Sequence, residues 1–270
     1  MKFEVIEERV GAILKTLDQE KYPETYKKFE NFLDACYDDL WDFWDAIMES
    51  DKKHPLESTV ANLIEEILLD EIQKKNHNAM CDLGALYYTG RIGVQNYEKA
   101  VHYYEMSAKF GNRQAIENLG YCYYYGRLGA PDYKKAYHYF IKGALLGQLV
   151  SLYKVGDMYK HGLYVEKDEK EAYRIYNHCS VQLDDFHEQK LGADVYIRLA
   201  DCYYNGEGVE KNLGLALYCY QKAEQLYYPR ICNGDFIYKK QYERSILMQN
   251  IVREEREKEI PNYSWTENNE

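Results

Sequence analysis

Residues 78–90 read Asn-Ala-Met-Cys-Asp-Leu-Gly-Ala-Leu-Tyr-Tyr-Thr-Gly, and residues 91–111 continue Arg-Ile-Gly-Val-Gln-Asn-Tyr-Glu-Lys-Ala-Val-His-Tyr-Tyr-Glu-Met-Ser-Ala-Lys-Phe-Gly. The pattern returns three times. Its copies align on Gly90, Gly126, Gly162 and Gly206, with spacings of 36, 36 and 44 residues. Seven residues before each of these glycines stands an apolar residue followed by a small one: Leu83-Gly84, Leu119-Gly120, Val155-Gly156 and Leu199-Ala200. Tyr87, Tyr123, Tyr159 and Tyr203 precede the anchors by three; Asn96, Asp132, Asp168 and Asn212 follow by six; Ala100, Ala136, Ala172 and Ala216 follow by ten.

Each position has a physical reason. Ala79, Leu83 and Tyr87 are four apart and share one helix face. Gly84 and its equivalents admit a partner helix at close range. The anchor glycine supplies the left-handed residue that ends the first helix. The Asn or Asp six residues on caps the exposed amides of the second helix. Each unit is therefore helix–turn–helix, unable to bury its apolar face alone, and stacking of the units predicts an all-α solenoid. Between copies three and four lie eight extra residues within Ser180–Asp194, which either lengthen a helix or form a loop.

Outside the repeats, Phe3, Ile6, Val10, Ile13, Leu14 and Leu17 mark an amphipathic helix over residues 3–19. Phe29, Leu33, Cys36, Leu40, Trp44 and Ile47 continue that spacing over 24–49, and Val60, Leu63, Ile64, Ile67 and Leu68 mark a third helix over 57–75. Phe236, Tyr242, Ile246, Leu247 and Ile251 suggest a last helix over 235–258. The resulting division is an acidic N-terminal helical cap over 1–76, four repeats over 77–226, a C-terminal capping helix over 227–260 and a tail over 261–270. The segment Tyr37–Asp45 sets two tryptophans among four aspartates; it reads as a cap helix before it reads as an acidic contact surface.

The pattern Leu-Gly-x-x-Tyr-x-x-Gly, then Asp or Asn, Lys-Ala and a closing Ala-x-x-Gly resembles the Sel-one-like repeat, a relative of the tetratricopeptide repeat. Leu199–Ala223, with Gly206-Glu207-Gly208-Val209 and Ala216, is the clearest match in the loop. Copies one and two carry a longer Gly-Arg-x-Gly loop at 90–93 and 126–129, and copy three has Tyr164 where glycine is common. The resemblance implies a right-handed α-α superhelix, protein–protein contact and no shared catalytic residue. It also implies that the first helix of each unit lines a concave groove. Tyr88 in copy one, Glu117, Tyr121, Tyr124 and Tyr125 in copy two, Tyr153, Asp157 and Lys160 in copy three, and Asp201 and Tyr204 in copy four would then face a partner. Tyrosine offers stiff contact area with a polar tip. Glu117, Asp157 and Asp201 could hold Lys or Arg of a peptide.

Charge bears on the same question. The net charge is −11, and residues 1–75 hold 19 acidic against 10 basic side chains. Such a chain repels phosphates, which argues against nucleic acid and anionic membranes and for a protein or peptide partner, a basic one by charge. No apolar run reaches the ~20 residues of a membrane span. The seven cysteines lack regular pairing and fit free thiols in a reducing cytoplasm. His178, Cys179 and His187 have no zinc-site spacing, and no phosphate loop or nucleophile motif is present, so neither cofactor nor metal is expected. The function read from these features is a non-catalytic interaction scaffold or adaptor. A bacterial immunity or effector-adaptor protein is an alternative. A β-lactam-binding or hydrolysing enzyme is a weaker one, because cysteine-rich relatives of that type pair cysteines seven apart and this chain does not.

Overall fold

The computed structural model describes residues 2–34 and 56–259. The chain divides into two units, Met1–Asp132 and Tyr133–Glu270, with the boundary between the two helices of the second repeat. Twelve helices of eight residues or more lie among the described residues, and no strand does. The second half of the predicted 24–49 helix, the Tyr37–Asp45 segment, Cys36 and the 261–270 tail lie outside those residues.

In the first unit, α1 (Phe3–Leu14), α2 (Pro23–Asp34) and α3 (Ser58–Gln73) precede the repeats. Ile6, Val10, Phe29, Phe32, Val60, Leu63 and Ile64 are buried. The inward face of α2 runs through Phe29 and Phe32, whereas Leu33, expected inside, is 40% exposed. Both spacings are helical; the larger phenylalanine takes the buried site.

Copy one comprises α4 (His77–Thr89) and α5 (Tyr97–Lys109), and copy two begins with α6 (Arg113–Tyr124). Gly90 closes α4 at φ 73°, and the Asn96 side chain caps α5 by accepting from the Lys99 amide at 2.8 Å. The Asn96 amide donates to the Tyr87 carbonyl at 2.9 Å, and the same bond recurs from Asp132 to Tyr123, Asp168 to Tyr159 and Asn212 to Tyr203. This clasp explains why Asn or Asp and Tyr recur together: one fixes the turn while its side chain starts the next helix. A Cβ at Gly84 would lie 2.7 Å from the Tyr104 ring, so the small residue is required by the ring packed over it.

The second unit holds α7 (Tyr133–Leu145), α8 (Leu149–His161), α9 (Glu169–Val181), α10 (Ala193–Asn205), α11 (Leu213–Cys232) and α12 (Lys239–Glu259). Its core gathers Tyr176, Cys179, Val195, Ala200, Ala216, Tyr220, Ala223, Tyr227 and Val252. The extra residues between copies three and four form a helical turn, Asp185–His187, and a π-helical stretch, Glu188–Gly192, that runs into α10. They lengthen a helix. The buried face of α12 is Ser245, Gln249 and Val252, while Phe236 and Leu247 are exposed. Polar residues can sit inside here because each finds a partner: Ser245 donates to the Tyr242 carbonyl at 2.6 Å and Gln249 to Glu224 at 2.6 Å.

Candidate binding surfaces

In the first unit, α4, α5 and α6 bring Tyr88, Tyr104, Asn118, Tyr121 and Tyr125 around a cavity of about 180 Å³. The spacing along α6 explains the cluster: Asn118, Tyr121 and Tyr125 fall three and four apart on one face. Tyr121 and Tyr125 stack with ring centroids 5.9 Å apart, and Tyr124 meets Tyr125 edge-on at 5.1 Å. Tyr88 packs edge-on against Tyr97 at 5.2 Å. Arg127 lies over the rings of Tyr88, Tyr97 and Tyr125 at 5.4–5.6 Å and donates from Nε to the Tyr88 hydroxyl at 3.0 Å. Such a caged cation is attracted by the negative ring faces. Glu117, half-buried one turn before Tyr121 on α6, has its carboxyl pushed up to about 7 by burial. Of the expected groove positions, Tyr88, Tyr121 and Tyr125 are brought together. Tyr97, Tyr104, Asn118 and Arg127 join them without having been singled out; aligning the copies is the signal that finds Tyr104, at a recurring aromatic position, and Asn118, at a variable one.

The second unit treats its groove positions differently. Asp157 is buried, and Arg198 donates to its two oxygens at 2.6 and 2.7 Å, Tyr176 at 2.9 Å and Lys154 at 3.2 Å. Burial pushes the Asp157 carboxyl up, but the Arg198 charge and hydrogen bonds outweigh it and hold it well below the usual carboxylate range. Arg198 also stacks on Tyr153 at 4.4 Å. One unit further on, Asp201 accepts from Tyr220 at 2.7 Å and from Arg244 of α12 at 2.6 Å. Two of the three positions expected to take a partner's cation, Asp157 and Asp201, hold arginines of this chain instead. Lys160 pairs with Glu207 at 2.7 Å, and the Tyr204 hydroxyl donates to Glu255. Sequence periodicity could not reveal these pairings, because Arg198 and Arg244 lie 41 and 43 residues from their aspartates.

Cys81, Cys122, Cys179, Cys202 and Cys219 are buried free thiols, and Cys232 is exposed. Burial pushes each of the five buried thiols up to about 12. Among the described residues no three His, Cys, Asp or Glu side chains converge as a metal site would require, and no helix is long and apolar enough to cross a membrane.

The Sel1 repeat family matches residues 77–112, 113–148, 149–177 and 193–228, and the chain belongs to that family. Its fold is an all-α solenoid of helix–turn–helix repeats, and membership fits an interaction scaffold in general. A Sel1 repeat protein from Oxalobacter formigenes is similar at 21% identity over 81% of this chain and 86% of that one, with a TM-score of 0.55. A protective antigen of uropathogenic Escherichia coli strains, displaying an SLR fold, is similar at 18% identity over 81% of this chain and 48% of that one, with a TM-score of 0.52. No curated protein matches the sequence.

Proposed function

We propose that this protein is a non-catalytic scaffold that takes a segment of a protein or peptide on the tyrosine surface of its first two repeats. The observation that carries this reading is the cavity ringed by Tyr88, Tyr104, Asn118, Tyr121 and Tyr125. Aromatic side chains held by stacking lose little entropy on binding and can bury large area around a polar tip. Tyr153, Asp157, Asp201 and Tyr204 hold successive helices of the second unit in place. Attraction of a basic partner by Asp157 and Asp201 has less support, since both carboxylates already hold guanidinium groups.

The test is capture of partners from the native cell with wild-type protein, Tyr121→Ala with Tyr125→Ala, and Tyr218→Ala as an exposed control on α11. Truncating tyrosine hot spots should weaken the captured complex by about tenfold or more, and the control should leave it unchanged. Equal recovery by all three proteins would rule the surface out.

A further inference from the structure

Three positions of the repeat act together. In copy three, Asp157 directly follows Gly156, Tyr176 lies twenty residues after that glycine, and Arg198 lies two residues before the equivalent Ala200 of the next copy. Tyr176 and Arg198 both donate to the Asp157 carboxylate. In copy four, Asp201 and Tyr220 occupy the same offsets from Ala200, and Arg244 of α12 completes the set. The arrangement is a tyrosine hydroxyl and a guanidinium converging on one aspartate, used twice in succession.

In copy one the same offsets read Ala85, Tyr104 and Asn118. The ring position is kept: a Cβ at Gly84 would meet Tyr104 at 2.7 Å, as one at Gly156 would meet Tyr176 at 2.6 Å. The carboxylate has become a methyl group and the guanidinium a short amide. A cavity of about 180 Å³ opens beside two of these three positions, Tyr104 and Asn118, which both line it.

Hydroxyls and an amide that can donate surround this cavity. Tyr104 is 2% exposed and lines the cavity. Asn118 uses its Oδ1 to accept from Gln114 at 3.0 Å, and its amide nitrogen has no partner among the described residues. Arg127, on the rings of the lining residues Tyr88 and Tyr125, pairs with no carboxylate among the described residues. No acidic side chain lines the cavity. Asp82 acts on Tyr104 more weakly than burial does and is not part of the lining.

We propose that this cavity receives an Asp or Glu side chain of the bound segment, set where copies three and four carry their own aspartate. The Tyr104 hydroxyl and the Asn118 amide would donate to it, and Arg127 would supply the opposite charge. A lysine or arginine is disfavoured because Arg127 already occupies the ring faces that could cage a cation. The inference rests on the scaffold reading above and adds to it the charge of the ligand group, opposite in sign to the basic partner that the whole chain's charge suggests.

The experiment uses the full chain and pools of end-capped twelve-residue peptides with random flanks and a central Asp, Glu, Asn, Gln, Lys or Leu. Affinities of the retained sequences are then measured by fluorescence polarisation. The Asp and Glu pools should be retained at least tenfold over Asn and Gln. Tyr104→Phe should weaken the acidic peptides by about tenfold, the effect of losing one hydrogen bond to a charged group. The fold tolerates that change in principle, because Phe140 stands at the same offset in copy two. Arg127→Gln should weaken them and flatten their salt dependence. Ala85→Asp with Asn118→Arg should fill the cavity from within and abolish the preference. Retention of the Lys pool, equal retention of Asp and Asn, or indifference to Tyr104→Phe would overturn the carboxylate assignment. If peptides still bind without acidic preference and are lost on Tyr121→Ala, the surface stands and the assignment falls. If no pool is retained, or if retention ignores Tyr121→Ala, both fall.

Discussion

Asp157→Asn probes how the second unit is held together. The substitution keeps shape and removes charge. It leaves Arg198, whose side chain is 19% exposed, without the carboxylate to which it donates twice. Removing one member of a buried ion pair costs about 3–5 kcal/mol, because the other charge stays buried. Two contacts soften the loss here. Arg198 keeps the Asp194 carbonyl at 2.5 Å and the face of Tyr153 at 4.4 Å. The expected cost is therefore near the bottom of that range, about 3 kcal/mol, or a fall of roughly 6–12 °C in Tm at 2–4 °C per kcal/mol. Thermal and urea unfolding followed by circular dichroism measure it. Asp157→Leu combined with Arg198→Met should recover part of the loss, since it removes the guanidinium along with the carboxylate and leaves only the Lys154 charge without this partner. The pH dependence has a defined sign. The folded carboxyl lies below its unfolded value of about 3.9, so its contribution is present above that pH and disappears as pH falls below it. The gap between wild type and Asp157→Asn should close in acid. A single substitution costing under about 1 kcal/mol at pH 7, or a double substitution worse than the single, would refute the pairing argument.

Three further outcomes are expected. Glu117 has its folded carboxyl raised to about 7, so its contribution is full below the unfolded value and lost as pH rises through 7; Glu117→Gln should flatten the pH dependence of the unfolding free energy in urea between pH 5 and 8, by about 1–3 kcal/mol. In a Cys36→Ser background, a thiol reagent at pH 8 should label Cys232 at once and the five buried cysteines only on unfolding, which mass spectrometry of the labelled peptides would show. Gly208→Ala should destabilise by more than about 2 kcal/mol, because φ is 73° and the new Cβ would lie 2.0 Å from the Glu169 carbonyl oxygen; denaturant unfolding checks this.

The repeating positions were readable because each answers to a local rule. Gly90, Asn96 and Ala100 do the same job in every copy, and their spacing alone implies the helix–turn–helix unit. The inward face of α12 was less readable. Its pattern of Tyr242, Ile246 and Leu247 looks apolar, yet Ser245 and Gln249 are buried through hydrogen bonds that no hydropathy pattern records. The candidate site was legible in part. Tyr88, Tyr121 and Tyr125 follow from their place on the first helices, whereas the occupation of Asp157 and Asp201 by Arg198 and Arg244 depends on contacts over forty residues of sequence. The difference between copies was informative only once the structure showed what the aspartates do. Ala85 and Asn118 then become the absence of a paired charge rather than two unremarkable surface residues.

The most direct measurement is site-specific photocrosslinking in the native cell. Tyr125 and Tyr218 are 50% and 51% exposed, so a photoreactive phenylalanine at each samples solvent to the same extent. Position 125 should give a discrete adduct whose crosslinked peptide carries an Asp or Glu close to the joined residue, and position 218 should give none. An adduct from 218 as strong as that from 125, or no adduct from 125, would contradict a binding surface built on the first two repeats.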